Sequence, residues 1–156
     1  WAEVSRGCPA ARLLLFGQGE HEPELRALVD RLAISGTVQF AGLRADLREF
    51  LGCADVLVHP ATQEGLGVIL LEAQAAGLPI VAVEVGGVSE AVAVDASALL
   101  VPPGDQAAFA AALTRLLDDP KLRGSLGAAG AERVRQKFAP DAMVNGNLAV
   151  YRELLK

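Results

Sequence analysis

Two glutamates eight positions apart, Glu64 and Glu72, stand in the stretch "ATQEGLGVILLEAQAAGLPIV" with little else that carries charge. Glu64 is followed by Gly65 and Gly67, and the apolar run from Leu66 to Gly77 is interrupted only by Glu72 and Gln74. Glycines just before a helix let a ligand approach the backbone with no Cβ in the way. The unpaired N–H groups of a first helical turn, with the helix dipole behind them, favour an anion, and phosphate is the common guest. On a helix eight residues rise about 12 Å, so the two carboxylates are expected on either side of such a phosphate site. Carboxylates accept hydrogen bonds from sugar hydroxyls, and two sugars flanking a diphosphate is the outline of a nucleotide-sugar. Spacing alone is weak. The specific signal is the order: strand, Glu, Gly-x-Gly, apolar helix, Glu, Gly-x-Pro, apolar strand, then Gly86-Gly87 at another helix start.

A helix apolar around its whole circumference is expected to be buried, and a carboxylate inside one needs partners or a wet cleft. For Glu72 a structural ion pair and a ligand contact both remain open. His59, before Pro60, reads as a hydrogen-bonded structural histidine, with a place in the cleft as the second possibility. His21 reads as a solvated loop residue. Gly17-Gln18-Gly19 is half a dinucleotide fingerprint and weak by itself. Gly86-Gly87 either faces a ligand or permits close packing. Arg44 is a candidate to stack on or hydrogen-bond a base; alternatively Arg44 and Arg48 form a solvated basic edge with Asp46 and Glu49.

Short apolar runs alternate with helical periodicity along the chain. Strands are expected at residues 12–16, 37–40, 55–59, 79–83 and 98–101. Helices are expected at 23–34, 46–53, 66–76 with Gly77 as the stop, 86–94, 105–117 capped by Asp105, from Pro120 onward, and 141–155. Continuous apolar strands separated by helices imply a parallel sheet covered on both faces, so the fold class is α/β, a Rossmann-like doubly wound sheet. In such sheets ligands bind beyond the carboxyl ends of the strands, which singles out 17–20, 42–44, 59–67 and 85–87. The helical tail from Asp105 reads as structural packing, and the helix over 122–138 as a solvated amphipathic element rather than a membrane contact.

The chain has 156 residues, 52% of them hydrophobic and 21% charged, with a net charge of −5. That suits one domain, residues 1–156, with a real core. It argues against general attraction to nucleic acid. Cys8 and Cys53 form no CxxC pair, and with two histidines they make a poor metal inventory; both are expected buried and reduced. No signal peptide or spanning segment is visible, so a cytoplasmic, at most membrane-peripheral, address is expected.

The segment "EGLGVILLEAQAAGLPIVAVEVGGVSE" resembles the donor-binding motif of retaining GT-B glycosyltransferases of the group 1, family 4 type. "ARLLLFGQGE", "VQFAGL", "ADVLVHP", "LLVPPGD" and "LRGSLGAAGAERVRQKF" match its other landmarks in order. The resemblance implies the C-terminal, donor-binding half of a GT-B fold. It implies that Glu64 contacts the transferred sugar as the catalytic-site carboxylate and that Glu72 hydrogen-bonds the ribose. The backbone of Gly65, Leu66, Gly67 and Val68 would lie by the diphosphate and sugar, with Arg44 near the base. It implies a UDP- or GDP-linked sugar donor, retention of anomeric configuration, and no cofactor or metal.

Three features depart from the family pattern. Leu66 stands where Phe is usual. "DASALLVPPGD" lacks the glycines usual before that strand. The strand and the Arg/Lys loop that open the family's donor domain, and the acceptor domain before it, are expected to precede Trp1. From this the isolated chain is expected to be inactive. A central strand of the sheet is expected to be missing, so that strand 12–16 either pairs with strand 55–59 or accepts another chain in the slot. Two readings of other kinds stay open: a non-catalytic interaction module of the same fold, and a GT-B sugar-nucleotide epimerase. A receiver-type flavodoxin-like domain is disfavoured, because the acidic cluster expected at its strand ends is not there.

Overall fold

The computed structural model describes residues 1–155; Lys156, the last residue of the expected domain, lies outside the described residues. The elements run α1 (Ala2–Gly7), β1 (Leu13–Phe16), α2 (Glu22–Arg31), a 3-10 turn Ser35–Thr37, β2 (Val38–Gly42), α3 (Leu47–Leu51), β3 (Leu57–His59) and α4 (Val68–Ala75). They continue β4 (Ile80–Val83), α5 (Val88–Ala91), β5 (Ala98–Val101), α6 (Gln106–Asp118), α7 (Pro120–Lys137) and α8 (Pro140–Leu154). Each expected strand and helix is present, most with narrower bounds. The unforeseen elements are the short 3-10 turn and α1, a six-residue helix whose only large apolar anchor is Val4. Trp1 before it donates its indole N–H to Thr37 Oγ1 at 3.0 Å.

Every strand pairing is parallel. Leu13 lies opposite Val38, Leu57 opposite Ile80, and Ile80 opposite Ala98. The strands form two groups, β1-β2 and β3-β4-β5. The expected closure of β1 directly onto β3 is not made among the described residues, so of the two outcomes foreseen for that slot the pairing within the chain is ruled out. Each group keeps its own register, and no ladder joins Phe16 to the β3 edge.

β4 shows why the fold is doubly wound. Ile80, Val81 and Ala82 are all fully buried. Ile80 and Ala82 face one layer with Leu51, Leu70, Ala73, Val88 and Ala91 from α3, α4 and α5. Val81 faces the other, with Val4, Ala110, Leu113, Leu116 and Leu126 from α1, α6 and α7. Each such side chain contributes roughly 1.5–3 kcal/mol for a Leu, Ile or Val taken fully out of water. An unbroken apolar run is what a strand covered on both faces requires.

The Asp caps behave as the sequence implies. Asp105 Oδ1 accepts from the Ala108 N–H at 2.8 Å, and Asp119 Oδ1 accepts from Lys121 and Leu122 with Pro120 at the first helical position. Two other expectations fail. Leu148 and Tyr151 on α8 and Leu155 just after it are exposed, so this end of the tail expected to be structural packing does not pack here. Cys53 is exposed and Cys8 half-buried, so neither thiol is a core residue. Both are free. No helix among the described residues is long and apolar enough to cross a membrane.

Candidate functional site

β3 ends at His59, and Pro60 prevents its continuation. The loop from Pro60 carries Glu64 to the start of α4. The helix begins at Val68, two residues later than the apolar pattern suggests, because Gly67 takes a left-handed conformation (φ 77°) that no helix contains. A Cβ on Gly67 would stand 2.8 Å from Leu70 Cδ1 and 3.3 Å from Glu64 Cγ. A larger residue there is strained by the positive φ and must push the Leu70 side chain aside. No side chain caps the first turn of α4. Leu66 and Val68, before and after the turn, are exposed.

The Glu64 loop is held from behind by the start of α5. Gly87 N–H donates to Gly65 O at 2.8 Å. A Cβ on Gly86 would lie 1.9 Å from Glu64 O, and one on Gly87 would lie 2.0 Å from Gly65 O. Close packing, one of the two readings of this glycine pair, is therefore its structural role, and what it packs against is the backbone of the candidate site. The Glu64 side chain is 27% exposed. Its Oε1 accepts from the Gly65 N–H at 3.0 Å. Its Oε2 stands 3.2 Å from His59 Nε2, off the line of a hydrogen bond. His59 is part-buried, with its Nε2 sealed from solvent, yet that nitrogen completes no hydrogen bond among the described residues, contrary to expectation.

Glu72 sits on the rim of α4 with 27% of its side chain exposed. Arg48 on α3 reaches across and donates from Nε (3.0 Å) and Nη2 (2.9 Å), both to Oε1. The ion-pair reading of Glu72 therefore holds in this state, while Oε2 accepts no hydrogen bond among the described residues. The expectation that α4 is buried all round is corrected. Val68, Ala75 and Ala76 are exposed, and the fully buried polar residue is Gln74, not Glu72. Gln74 Nε2 donates to Leu70 O and Ala91 O, and its oxygen accepts from Ser97 Oγ. Gly130 of α7 lets that helix lie against the Gln74 side chain. This network locks α4, and with it Glu72, to α5 and α7.

Arg44 lies in the turn after β2. It donates to both oxygens of Asp46, at 2.8 and 2.6 Å, and its guanidinium lies 4.9 Å from the Phe50 ring centre. Phe50 in turn contacts Phe16 at 5.4 Å between ring centres. The hydrogen bond from Arg44, before any other influence, lowers the Asp46 pKa, and Asp46 in the same way raises that of Arg44. The expected edge pairing of Arg44 with Asp46 is found, whereas Arg48 turns to Glu72 instead. His21 is exposed, as expected. No grouping of three or more His, Cys, Asp or Glu among the described residues is placed to hold a metal.

Two hollows open at the carboxyl ends of the strands. One, of about 380 Å³, lies between Trp1, the Pro60–Thr62 segment, Pro102–Gln106 and Phe109. The other, of about 300 Å³, is framed by Phe16, Gly17–Gly19, His21 and Phe40. Neither is lined by Glu64 or Glu72; both adjoin the same rim of the sheet.

Comparison with known proteins finds similar sequences and similar folds. Residues 1–119 match the family model described as glycosyl transferases group 1. The chain is 34% identical over 139 residues to the lipopolysaccharide core biosynthesis glycosyltransferase LpsD of Rhizobium meliloti, covering 89% of this chain and 40% of that protein. Its structure superposes on sucrose-phosphate synthase from Thermosynechococcus elongatus with a TM-score of 0.85 at 31% identity, over 99% of this chain and 41% of that one. It also superposes on Anabaena HepE in complex with UDP-glucose, with a TM-score of 0.83 at 25% identity, over 98% and 43%. The chain thus spans about two fifths of the length of each of these proteins.

Proposed function

The chain belongs to the group 1 glycosyl transferases, and from that premise we propose that it is the donor-binding domain of a retaining glycosyltransferase that uses a UDP- or GDP-linked sugar. Glu64 accepts hydrogen bonds from the sugar, and Glu72 Oε2 accepts one from the ribose. The amides of Gly65 to Val68 receive the diphosphate, and Arg44 lies against the base. In the transfer the bond from the anomeric carbon to the β-phosphate oxygen breaks. A bond to the acceptor hydroxyl forms on the same face, and the hydroxyl proton passes to the departing phosphate. The developing phosphate charge is met by backbone N–H dipoles on a loop held in place, and no metal is called for. Acceptor recognition is assigned to the parts of full-length relatives that this chain does not span. The address is cytoplasmic or membrane-peripheral.

The observation that carries this reading is the loop Glu64–Gly67. Gly87 pins its backbone, Gly67 takes a left-handed turn that a larger residue would strain, and the loop sets its amides beside one carboxylate with a second carboxylate on the helix that follows. The presence of UDP-glucose in the HepE complex fits the same chemistry. Calorimetric titration with UDP and GDP tests it. The wild-type chain is expected to bind one of them at millimolar concentration or tighter. Glu72→Ala is expected to weaken that binding about tenfold or more, since a hydrogen bond to a charged group contributes roughly 1.5–3 kcal/mol. Absence of binding by the wild type, or equal binding by both proteins, rejects the proposal. The non-catalytic interaction module gains no specific observation.

A further inference from the structure

The Glu64 carboxylate has two N–H donors within reach and is bonded to only one. Oε1 takes the Gly65 N–H at 3.0 Å. Oε2 faces His59 Nε2 at 3.2 Å without alignment, and that nitrogen is sealed from solvent and left without a hydrogen bond. A buried imidazole nitrogen with no partner is unusual, because such groups are nearly always satisfied. The torsion next to a glutamate carboxylate is soft and broad, so Oε2, already 3.2 Å from Nε2, is free to turn toward the His59 line. The Glu64 backbone cannot follow, since Gly86 and Gly87 pack directly against the carbonyls of Glu64 and Gly65. What moves is the side chain on a fixed loop.

The donor reading above assigns the Gly65 amide to the ligand. A ligand oxygen on that amide displaces Oε1 and leaves the carboxylate without its present anchor. We propose that His59 is the positioning residue that then holds it: Nε2–H donates to Glu64 Oε2 when a nucleotide-sugar is bound, which leaves Oε1 facing the sugar hydroxyls. The inference rests on the donor reading. It adds that the orientation of Glu64 is set by a residue five positions earlier, at the end of β3.

The test is titration of wild type, His59→Phe and His59→Gln with UDP, UDP-glucose, GDP and GDP-mannose. The wild type is expected to bind one sugar nucleotide more tightly than its parent nucleotide. His59→Phe is expected to reduce that preference at least tenfold while nucleotide affinity stays within threefold. His59→Gln, whose amide can donate, is expected to restore most of it. A histidine that only packs would leave the preference intact in His59→Phe, and that result overturns the inference while leaving the donor reading standing. Failure of the wild type to bind any of the four ligands overturns both. Should His59→Phe not fold, imidazole ¹⁵N spectra of the wild type decide. The Nε2 resonance is expected to shift on saturation with the sugar nucleotide; an unchanged resonance overturns the inference.

Discussion

Replacing Gly87 by alanine tests how tightly the candidate site is held. The Gly87 backbone has an ordinary φ of −85°, so alanine there meets no conformational penalty of its own. Its methyl group, however, would lie 2.0 Å from Gly65 O and 3.4 Å from Leu66 Cα. The α5 start and the Glu64 loop must part by roughly 1–1.5 Å to restore an ordinary contact. That movement breaks the 2.8 Å bond from Gly87 N–H to Gly65 O. Overpacking contributes about 1–3 kcal/mol of destabilisation and the lost hydrogen bond about 0.5–1.5 kcal/mol. A loss of about 2–4 kcal/mol lowers the melting temperature of a domain this size by roughly 4–16 °C. Displacing a binding loop by about 1 Å spoils its fit to the ligand, so sugar-nucleotide affinity is expected to fall together with stability. Gly124→Ala is the control. It lies inside α7 with nothing within 4 Å of the added methyl and is expected to stabilise by about 0.5–1 kcal/mol. Urea denaturation and calorimetry of both variants measure these effects. Gly87→Ala with wild-type stability and wild-type affinity would refute the pinning.

Two further outcomes probe the supports of the two acidic groups. Gln74→Leu removes the donor to Ala91 O and the acceptor of Ser97 Oγ in a fully buried position, and stranding polar groups of this kind costs about 1–3 kcal/mol each. Urea denaturation is expected to show a loss of that size, and a neutral result would mean the network adds nothing to the hold on α4. Arg44→Gln removes the hydrogen bond that chiefly lowers the Asp46 pKa. With a folded value below the unfolded one, Asp46 contributes stability above the unfolded value that is lost as pH falls through the folded one. In the variant its carboxyl ¹³C titration midpoint is expected to move up toward the ordinary aspartate value; an unmoved midpoint would show that Arg44 and Asp46 do not pair in solution.

The fold was largely legible because its signals are local. An apolar run such as Ile80–Val83 can only be a covered strand, and Asp105, Pro120 and Gly77 mark helix ends by their own chemistry. α1 escaped because six residues with one apolar anchor carry no periodicity. The Glu64 and Gly67 neighbourhood could be located from residue types, but its partners could not. Arg48 reaches Glu72 from another helix, a long-range contact with no spacing signature. The same blindness hid Gln74: periodicity marks α4 as apolar, yet only the packing of α5 and α7 reveals which side faces inward. The division of the sheet between β1 and β3 was foreseen in position, while the direct pairing of the two strands, one of the two outcomes expected, is not made, since strand pairing depends on what lies between.

The central claim is that a nucleotide-sugar sits where α4 begins, between Glu64 and Glu72. Backbone amide NMR of the chain titrated with UDP-glucose and with GDP-mannose tests this most directly. One ligand is predicted to produce its largest shift changes at Gly65, Leu66, Gly67, Val68 and Glu72. Changes confined to Gln106 and Phe109 beside the larger hollow, or no change with either ligand, would contradict it.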